Sequence, residues 1–104
     1  MPDTQTELSF PRLKPHVIAS PLVQYAKCGE ELGELSQKLT LLLEVEPRKP
    51  RPDDIAMQTI GECMDLAQSA VSMAFAVADI FGGSDSLKAA MDLHIEKMKA
   101  RDYL

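Results

Sequence analysis

Two short acidic segments carry the residues best suited to chemistry. Residues three apart share one face of a helix, so Glu31 and Glu34 project together from KCGEELGEL, and Glu62 and Asp65 project together from GECMDLA. Like charges at this spacing repel, and two facing helices that joined both pairs would increase the repulsion. A divalent cation bound between the carboxylates would turn this net repulsion into a net attraction. Because Mg²⁺ and Mn²⁺ prefer oxygen ligands and retain waters, the four carboxylates predict a metal site open to a phosphate.

The alternative interpretation is an ordinary solvated helix face, which is what most glutamate-rich stretches are. Two features favour a place at the edge of a core instead. Gly33 and Gly61 interrupt good helix-forming sequence, which predicts a close approach to the backbone there. Apolar residues also flank both acidic pairs. They are Leu32, Leu35, Met64 and Leu66.

Length and composition restrict the class of protein. At 104 residues and 11.5 kDa, with 45% hydrophobic and 26% charged residues, we expect one globular domain. A net charge of −5 without a basic stripe argues against nucleic-acid binding. The longest apolar run, residues 66–81, is interrupted by polar residues, so we expect no membrane span. The start MPDTQTELSFPRLKP lacks a secretory pattern, so we expect a cytoplasmic protein.

The first half of the chain predicts an arm and one helix. Residues 1–19 contain three prolines and no periodicity, which predicts an extended arm that Leu8 and Phe10 could dock. Ser20 and Pro21 are typical of a helix start, because serine caps free N–H groups and proline needs no donor in the first turn. The helix extends over residues 21–45, until EPRKPRP stops it. Its expected apolar face comprises Leu32, Leu35, Leu39 and Leu42.

The second half predicts two more helices. Asp53 or Asp54 can cap the second, which Gly82 and Gly83 end. Ser84 or Asp85 can cap the third, which extends to about residue 101, and no strand is indicated. Two apolar stripes follow the second helix. One comprises Ile60, Met64, Ala67, Val71, Ala74, Ala78 and Phe81, and the other Leu66, Ala70, Met73, Val77 and Ile80.

Those two stripes are more apolar surface than two short neighbouring helices can hide. The sequence therefore predicts an all-α helical bundle completed by homo-oligomerisation. A dimer is the smallest assembly that would cover the second helix, and a tetramer would also satisfy the pattern.

The order Glu30-Glu31-x-x-Glu34 and then Glu62-x-x-Asp65 resembles the signature of the MazG-like, all-α nucleotide pyrophosphohydrolase superfamily. The resemblance covers residues 23–101 of the domain expected over residues 20–104. It implies hydrolysis of a nucleoside triphosphate to a monophosphate and pyrophosphate with Mg²⁺, or Mn²⁺ as a substitute. The metal ligands and catalytic residues implied are Glu31, Glu34, Glu62 and Asp65. Glu30 is either an outer partner of the site or solvent-facing, and which acid holds the attacking water stays open.

Substrate contacts are assigned less completely. Lys27, one turn before Glu31, can reach a phosphate, or else forms a surface salt bridge. Lys97 and Arg101 could place positive charge in the site of a neighbouring subunit. Alternatively, they are ordinary basic residues at the end of a helix, where they oppose its dipole. Tyr25 is the best candidate to stack a base, since Phe75 and Phe81 are expected in the core. Some branches of the family have an asparagine near the basic residues, and this chain has none.

Three other functions compete with this one. A non-catalytic helical dimerisation or adaptor module of the same fold would need no metal. A phosphoribosyl-ATP pyrophosphohydrolase has similar acid spacing and differs in its substrate. A di-iron carboxylate bundle requires Glu-x-x-His pairs, and the sequence has none.

Overall fold

The helices form where the start and stop residues predict them. The computed structural model describes residues 7–15, 17 and 20–104, and within these it contains helices and no strand, which confirms the all-α class. The rest of the predicted arm, residues 1–6, 16, 18 and 19, lies outside the described residues. The elements are α1 (Pro21–Leu43), α2 (Ile55–Val77), a π-helical turn (Ala78–Gly82) and α3 (Ser84–Ala100).

Helix α1 begins as predicted and ends slightly early. Ser20 Oγ accepts a hydrogen bond from the Val23 amide at 3.2 Å, so the serine satisfies a donor that the helix leaves free. The last helical residue is Leu43, two before the predicted end. Glu44 is extended, and its amide still donates to the Thr40 carbonyl.

The basic connector caps the end of α1. Arg51 Nε donates to the Leu41 carbonyl at 3.0 Å, and its guanidinium also donates to the Glu44 carbonyl. The last carbonyls of a helix have no partner within the helix, and they carry partial negative charge. A cation folded back from the connector therefore satisfies both requirements and fixes the turn between α1 and α2.

A polar seam runs along the interface between α1 and α2. Its α1 side consists of Gln24, Glu31 and Lys38, which lie seven residues apart and so share one face. Gln24 is 2% exposed, and Ser72 on α2 is 1% exposed. Lys38 Nζ donates to Gln58 Oε1 at 2.8 Å, so the end of α1 lies beside the start of α2. The two helices are antiparallel.

The apolar residues are mostly on the outside, contrary to the predicted core. Among the described residues, the fully buried apolar side chains are Ile55, Ala76 and Ala78. Phe81, which is expected in the core, is 79% exposed, whereas Phe75 is half-buried. Ile60, at the start of the first apolar stripe of α2, is 54% exposed. The reason is geometric, because a helix that turns its acidic face to α1 must turn its apolar stripes away. The predicted α1 face is divided in the same way, with Leu35 and Leu42 half-buried and Leu32 and Leu39 exposed.

The predicted caps of α2 and α3 are correct only in part. Asp54 is the N-cap of α2, but its Oδ1 accepts from the Gln58 side chain at 2.7 Å instead of from a backbone amide. Gly83, and not Ser84 or Asp85, is the N-cap of α3. Its φ of 76° lies in the left-handed region that glycine adopts readily. Gly83 therefore both ends the π-helical turn and begins α3.

Helix α3 packs mainly against the π-helical turn, and the chain is open as a result. The radius of gyration is 16.7 Å, and the extents are 48 × 36 × 20 Å. A compact chain of this length has a radius of gyration of about 13 Å. The single chain therefore leaves much of its apolar surface exposed.

One helical stretch, Ile55–Gly82, meets the criteria of length and composition for crossing a membrane. It has 28 residues and a mean hydropathy of 1.3, and 17% of that apolar window is buried. The core helix of a soluble protein satisfies the same criteria, so this finding is weak evidence for a membrane span.

Replacing Arg51 should weaken the helical hairpin formed by α1 and α2, at the end where the connector joins the two helices. We expect Arg51→Ala to lower the free energy of unfolding by about 1 kcal/mol, because two α1 carbonyls lose a charged donor. Urea unfolding followed by circular dichroism measures this. Arg48→Ala is the control, since Arg48 is an exposed residue of the same connector. Equal stability of the two variants would show that the cap contributes nothing.

Candidate metal centre

Three carboxylates from two helices converge in the middle of the polar seam. Glu31 projects from α1, and Glu62 and Asp65 project from α2, so that one carboxylate oxygen of each lies within 4.8 Å of the others. Glu31 and Glu62 are half-buried, and Asp65 is exposed. The antiparallel pairing of α1 and α2 thus brings together one member of the first acidic pair and both members of the second. We call these three residues the acidic cluster.

Two oxygen atoms of the acidic cluster lack any partner that the described residues could supply. Glu31 Oε2 and Glu62 Oε2 are each shielded from water without a hydrogen bond. A buried polar atom without a partner costs free energy, and a charged one costs more. A proton or a bound cation would satisfy each of these oxygens.

The electrostatics of the acidic cluster also favour binding of a proton or a cation. Desolvation raises the pKa of both Glu31 and Glu62, and the negative charges of Glu34 and then Asp65 raise it further. Lys38 acts in the opposite direction on the pKa of Glu62. A carboxyl with a raised pKa binds a proton more tightly in the folded chain than in the unfolded chain. In the absence of a cation, stability at this site therefore falls as the pH rises.

The remaining predicted acids are placed differently. Glu34 is exposed and adjoins the acidic cluster, since its charge raises the pKa of both Glu31 and Glu62. It is not one of the three whose oxygens converge. Glu30 is exposed and precedes Glu31 directly, so it projects about 100° away around α1.

The sequence analysis did not identify Lys38 as a residue of the site. This half-buried lysine donates to Gln58, and it is the cation whose charge lowers the pKa of Glu62. The available signal was its spacing, seven residues after Glu31 and four after Glu34, which puts all three on one side of α1. Lys38 supplies one fixed positive charge against the negative charges of the acidic cluster.

The two glycines beside the acids are not close-packing positions in this chain. A Cβ atom added at Gly33 or Gly61 would meet no atom of the described chain within 4 Å. The predicted close approach to the backbone is therefore wrong for the single chain.

The predicted substrate contacts lie around the acidic cluster and on α3. Lys27 is exposed one turn before Glu31, and it makes no salt bridge to any carboxylate in the described ranges. Tyr25 is 66% exposed and lies about 120° around α1 from Glu31, so it faces away from the acidic cluster. Lys97 and Arg101 are exposed at the far end of α3.

The residues present fit a hard divalent cation. Carboxylate oxygens are the ligands that Mg²⁺ prefers, and Mg²⁺ commonly keeps several waters beside one or two carboxylates and a phosphate. The exposed Asp65 leaves one side of the acidic cluster accessible to solvent, which is where a phosphate could approach.

Comparison with known proteins leaves the family open. The sequence matches no known family model, and no curated protein and no solved structure is significantly similar to it.

Removing one charge from the acidic cluster should stabilise the metal-free protein. At pH 7 we expect Glu62→Gln to raise the melting temperature, because the neutral amide ends the repulsion and can donate to Glu31. Acidification should likewise raise the melting temperature of the wild type, and raise it less in the variant. Scanning calorimetry in the presence of a chelator measures both.

The matched control is Glu30→Gln, which removes the same charge from the exposed neighbour of the acidic cluster. It should leave the melting temperature nearly unchanged. A Glu62→Gln variant that melts at or below the wild-type temperature would show that the carboxylates do not repel one another in the folded chain.

Proposed function

We propose that this protein is a Mg²⁺-dependent nucleotide pyrophosphohydrolase, which cleaves a nucleoside triphosphate or deoxynucleoside triphosphate to the monophosphate and pyrophosphate. The observation that carries the proposal is the pair of buried, partnerless oxygens of Glu31 and Glu62 beside Asp65. An adaptor has no use for this arrangement, because like charges without a counter-ion destabilise it. Clearance of a non-standard or surplus nucleotide, in the cytoplasm, is the role that we propose for such an enzyme.

Each residue of the site has a part in this proposal. Glu31, Glu62 and Asp65 would hold the cation, and Glu34 would complete the set or bind its waters. A bound Mg²⁺ supplies neutralisation of the triphosphate charge and a lower pKa for a water molecule. A carboxylate oxygen that is not a ligand could hold the attacking water as general base. Lys27, which has no described salt bridge, is free to bind a phosphate oxygen on the solvent side.

The proposed reaction is tested with a panel of canonical and modified nucleoside triphosphates. Purified protein with Mg²⁺ or Mn²⁺ should release a monophosphate and pyrophosphate, which ion-exchange chromatography resolves. We expect Glu62→Gln to reduce turnover at least about 100-fold, because it removes a charged metal ligand. Glu30→Gln, the matched control, should retain nearly wild-type turnover.

Thermal stability separates the enzyme from an adaptor. Mg²⁺ should raise the melting temperature of the wild type and not that of Glu62→Gln, since a ligand stabilises the state that binds it. Absence of turnover on every nucleotide, together with no Mg²⁺ effect on melting, would favour the adaptor. Turnover restricted to phosphoribosyl-ATP would favour that branch of the family.

We further propose that the protein is a homo-oligomer, either a dimer or a tetramer. Leu32 and Leu66 each lie one residue beyond a member of the acidic cluster. The next residue along a right-handed helix lies 100° further around its axis. In an antiparallel pair, the residues that follow two facing residues therefore lie on the same side of the pair. Each leucine belongs to a stripe with seven-residue spacing. The stripes comprise Tyr25, Leu32 and Leu39 on α1, and Leu66 and Met73 on α2 with Ile80 in the π-helical turn.

This apolar side of the hairpin is better suited to packing against another protein chain than to contact with membrane lipid. Leu32 is 54% exposed and Ile80 59% exposed, so the surface is available to a second copy. Seven-residue spacing is the pattern of helices that pack against other helices. Any span of about 20 residues within Ile55–Gly82 would instead have to hold Asp65 in the membrane, which is costly.

The oligomer should depend on Leu39. We expect Leu39→Glu to weaken self-association at least about 30-fold, because it places a charge within the apolar stripe. Sedimentation velocity over a concentration series measures the effect and distinguishes dimer from tetramer. Val45→Glu is the control, since Val45 is 96% exposed in the connector. If Leu39→Glu sediments as the wild type does, this side of the hairpin is not the interface.

A further inference from the structure

Two consecutive residues of the N-terminal arm are bound by one face of α2 and its continuation. Gln68 Nε2 donates to the Pro11 carbonyl at 3.0 Å. The Arg12 guanidinium forms an ion pair with the Asp79 carboxylate and lies over the Phe75 ring, 5.0 Å from its centroid. Gln68, Phe75 and Asp79 are spaced by seven and four residues, so they form one stripe. Three different interactions therefore fix the arm in one register.

The same arm segment also forms one wall of an apolar cleft between α2 and α3. Leu8 and Phe10 line this cleft, and its volume is about 480 Å³. Phe10 is half-buried there. The opposite walls come from both helices. They include Val71 and Phe75 from α2, and Leu87 and Met91 from α3.

The position of Asp79 connects the arm to the orientation of α3. Asp79 lies in the π-helical turn Ala78–Gly82, which joins α2 to α3 and supplies the main packing of α3. The arm thus contacts α2 through Gln68 and the turn through Asp79, and it lines the cleft together with α3. A segment bound to the turn from which α3 begins restricts the movement of α3 about that turn.

We propose that residues 8–12 are a strap that holds α3 against α2, with Arg12 as its fastening. The ion pair and the cation–π contact act on one guanidinium, so a single residue controls release of the strap. Release would expose the apolar walls of the cleft and leave α3 as a nearly isolated helix of 17 residues. Because most of the stability of a helix in a protein comes from tertiary packing, a released α3 would fray. This inference is independent of the proposed metal chemistry.

Hydrogen exchange of the full-length protein tests the strap. We expect Arg12→Ala to speed amide exchange in α3 about fivefold, because the loss of an exposed ion pair and a cation–π contact is worth about that factor. Exchange in the α1–α2 hairpin should stay at the wild-type rate. Lys14→Ala is the matched control, since it removes an exposed arm charge outside these contacts, and it should change neither rate.

Exchanging the charges of Arg12 and Asp79 distinguishes a specific effect of their ion pair from a general loss of stability. Arg12→Asp and Asp79→Arg should each speed exchange in α3, and the double variant should restore at least part of the protection. Exchange in α3 that Arg12→Ala leaves unchanged would overturn the proposal. So would an equal acceleration in α3 and in the α1–α2 hairpin, or a double variant no better protected than the single ones.

Discussion

Repulsion among the carboxylates between α1 and α2 shapes the packing of the whole chain. Glu31, Glu62 and Asp65 meet where a helical hairpin would ordinarily place leucines, and two of their oxygens have no described partner. Lys38 offsets part of this charge, and the seam around it is built from polar side chains such as Gln24 and Ser72. The helix pair that holds the chain together therefore carries buried polar groups.

The apolar surface is displaced outward as a consequence. Because α1 and α2 use polar side chains on each other, Leu32 and Ile80 are left exposed, and the chain has an open shape. Helix α3 is tied on by the π-helical turn and by the arm through Arg12. An assembly with a second copy and a cation in the seam would supply the two things that the single chain lacks, apolar burial and charge balance.

These two requirements connect stability with the proposed activity. A proton and a cation relieve the same repulsion, and they compete for the same oxygens of Glu31 and Glu62. Acidic conditions therefore favour the folded metal-free chain while they disfavour cation binding. A site of this kind stores unfavourable electrostatic energy in the folded state, which a divalent ion and its triphosphate can release on binding. The same carboxylates that weaken the empty hairpin are those that would make it an enzyme.

The helices and the spacing of the acids can be predicted from the sequence, because both depend on residues that are close along the chain. Ser20 begins α1 through a hydrogen bond to the amide three residues later, and Glu62 and Asp65 share a face by spacing alone. Which face of each helix points inward depends on the tertiary structure, since α2 has acidic and apolar faces and spacing does not rank them. It also decided the role of Lys38 and the contacts of Arg12 with Asp79, 67 residues away. Such contacts follow from how the elements pack, and packing is a property of the whole chain.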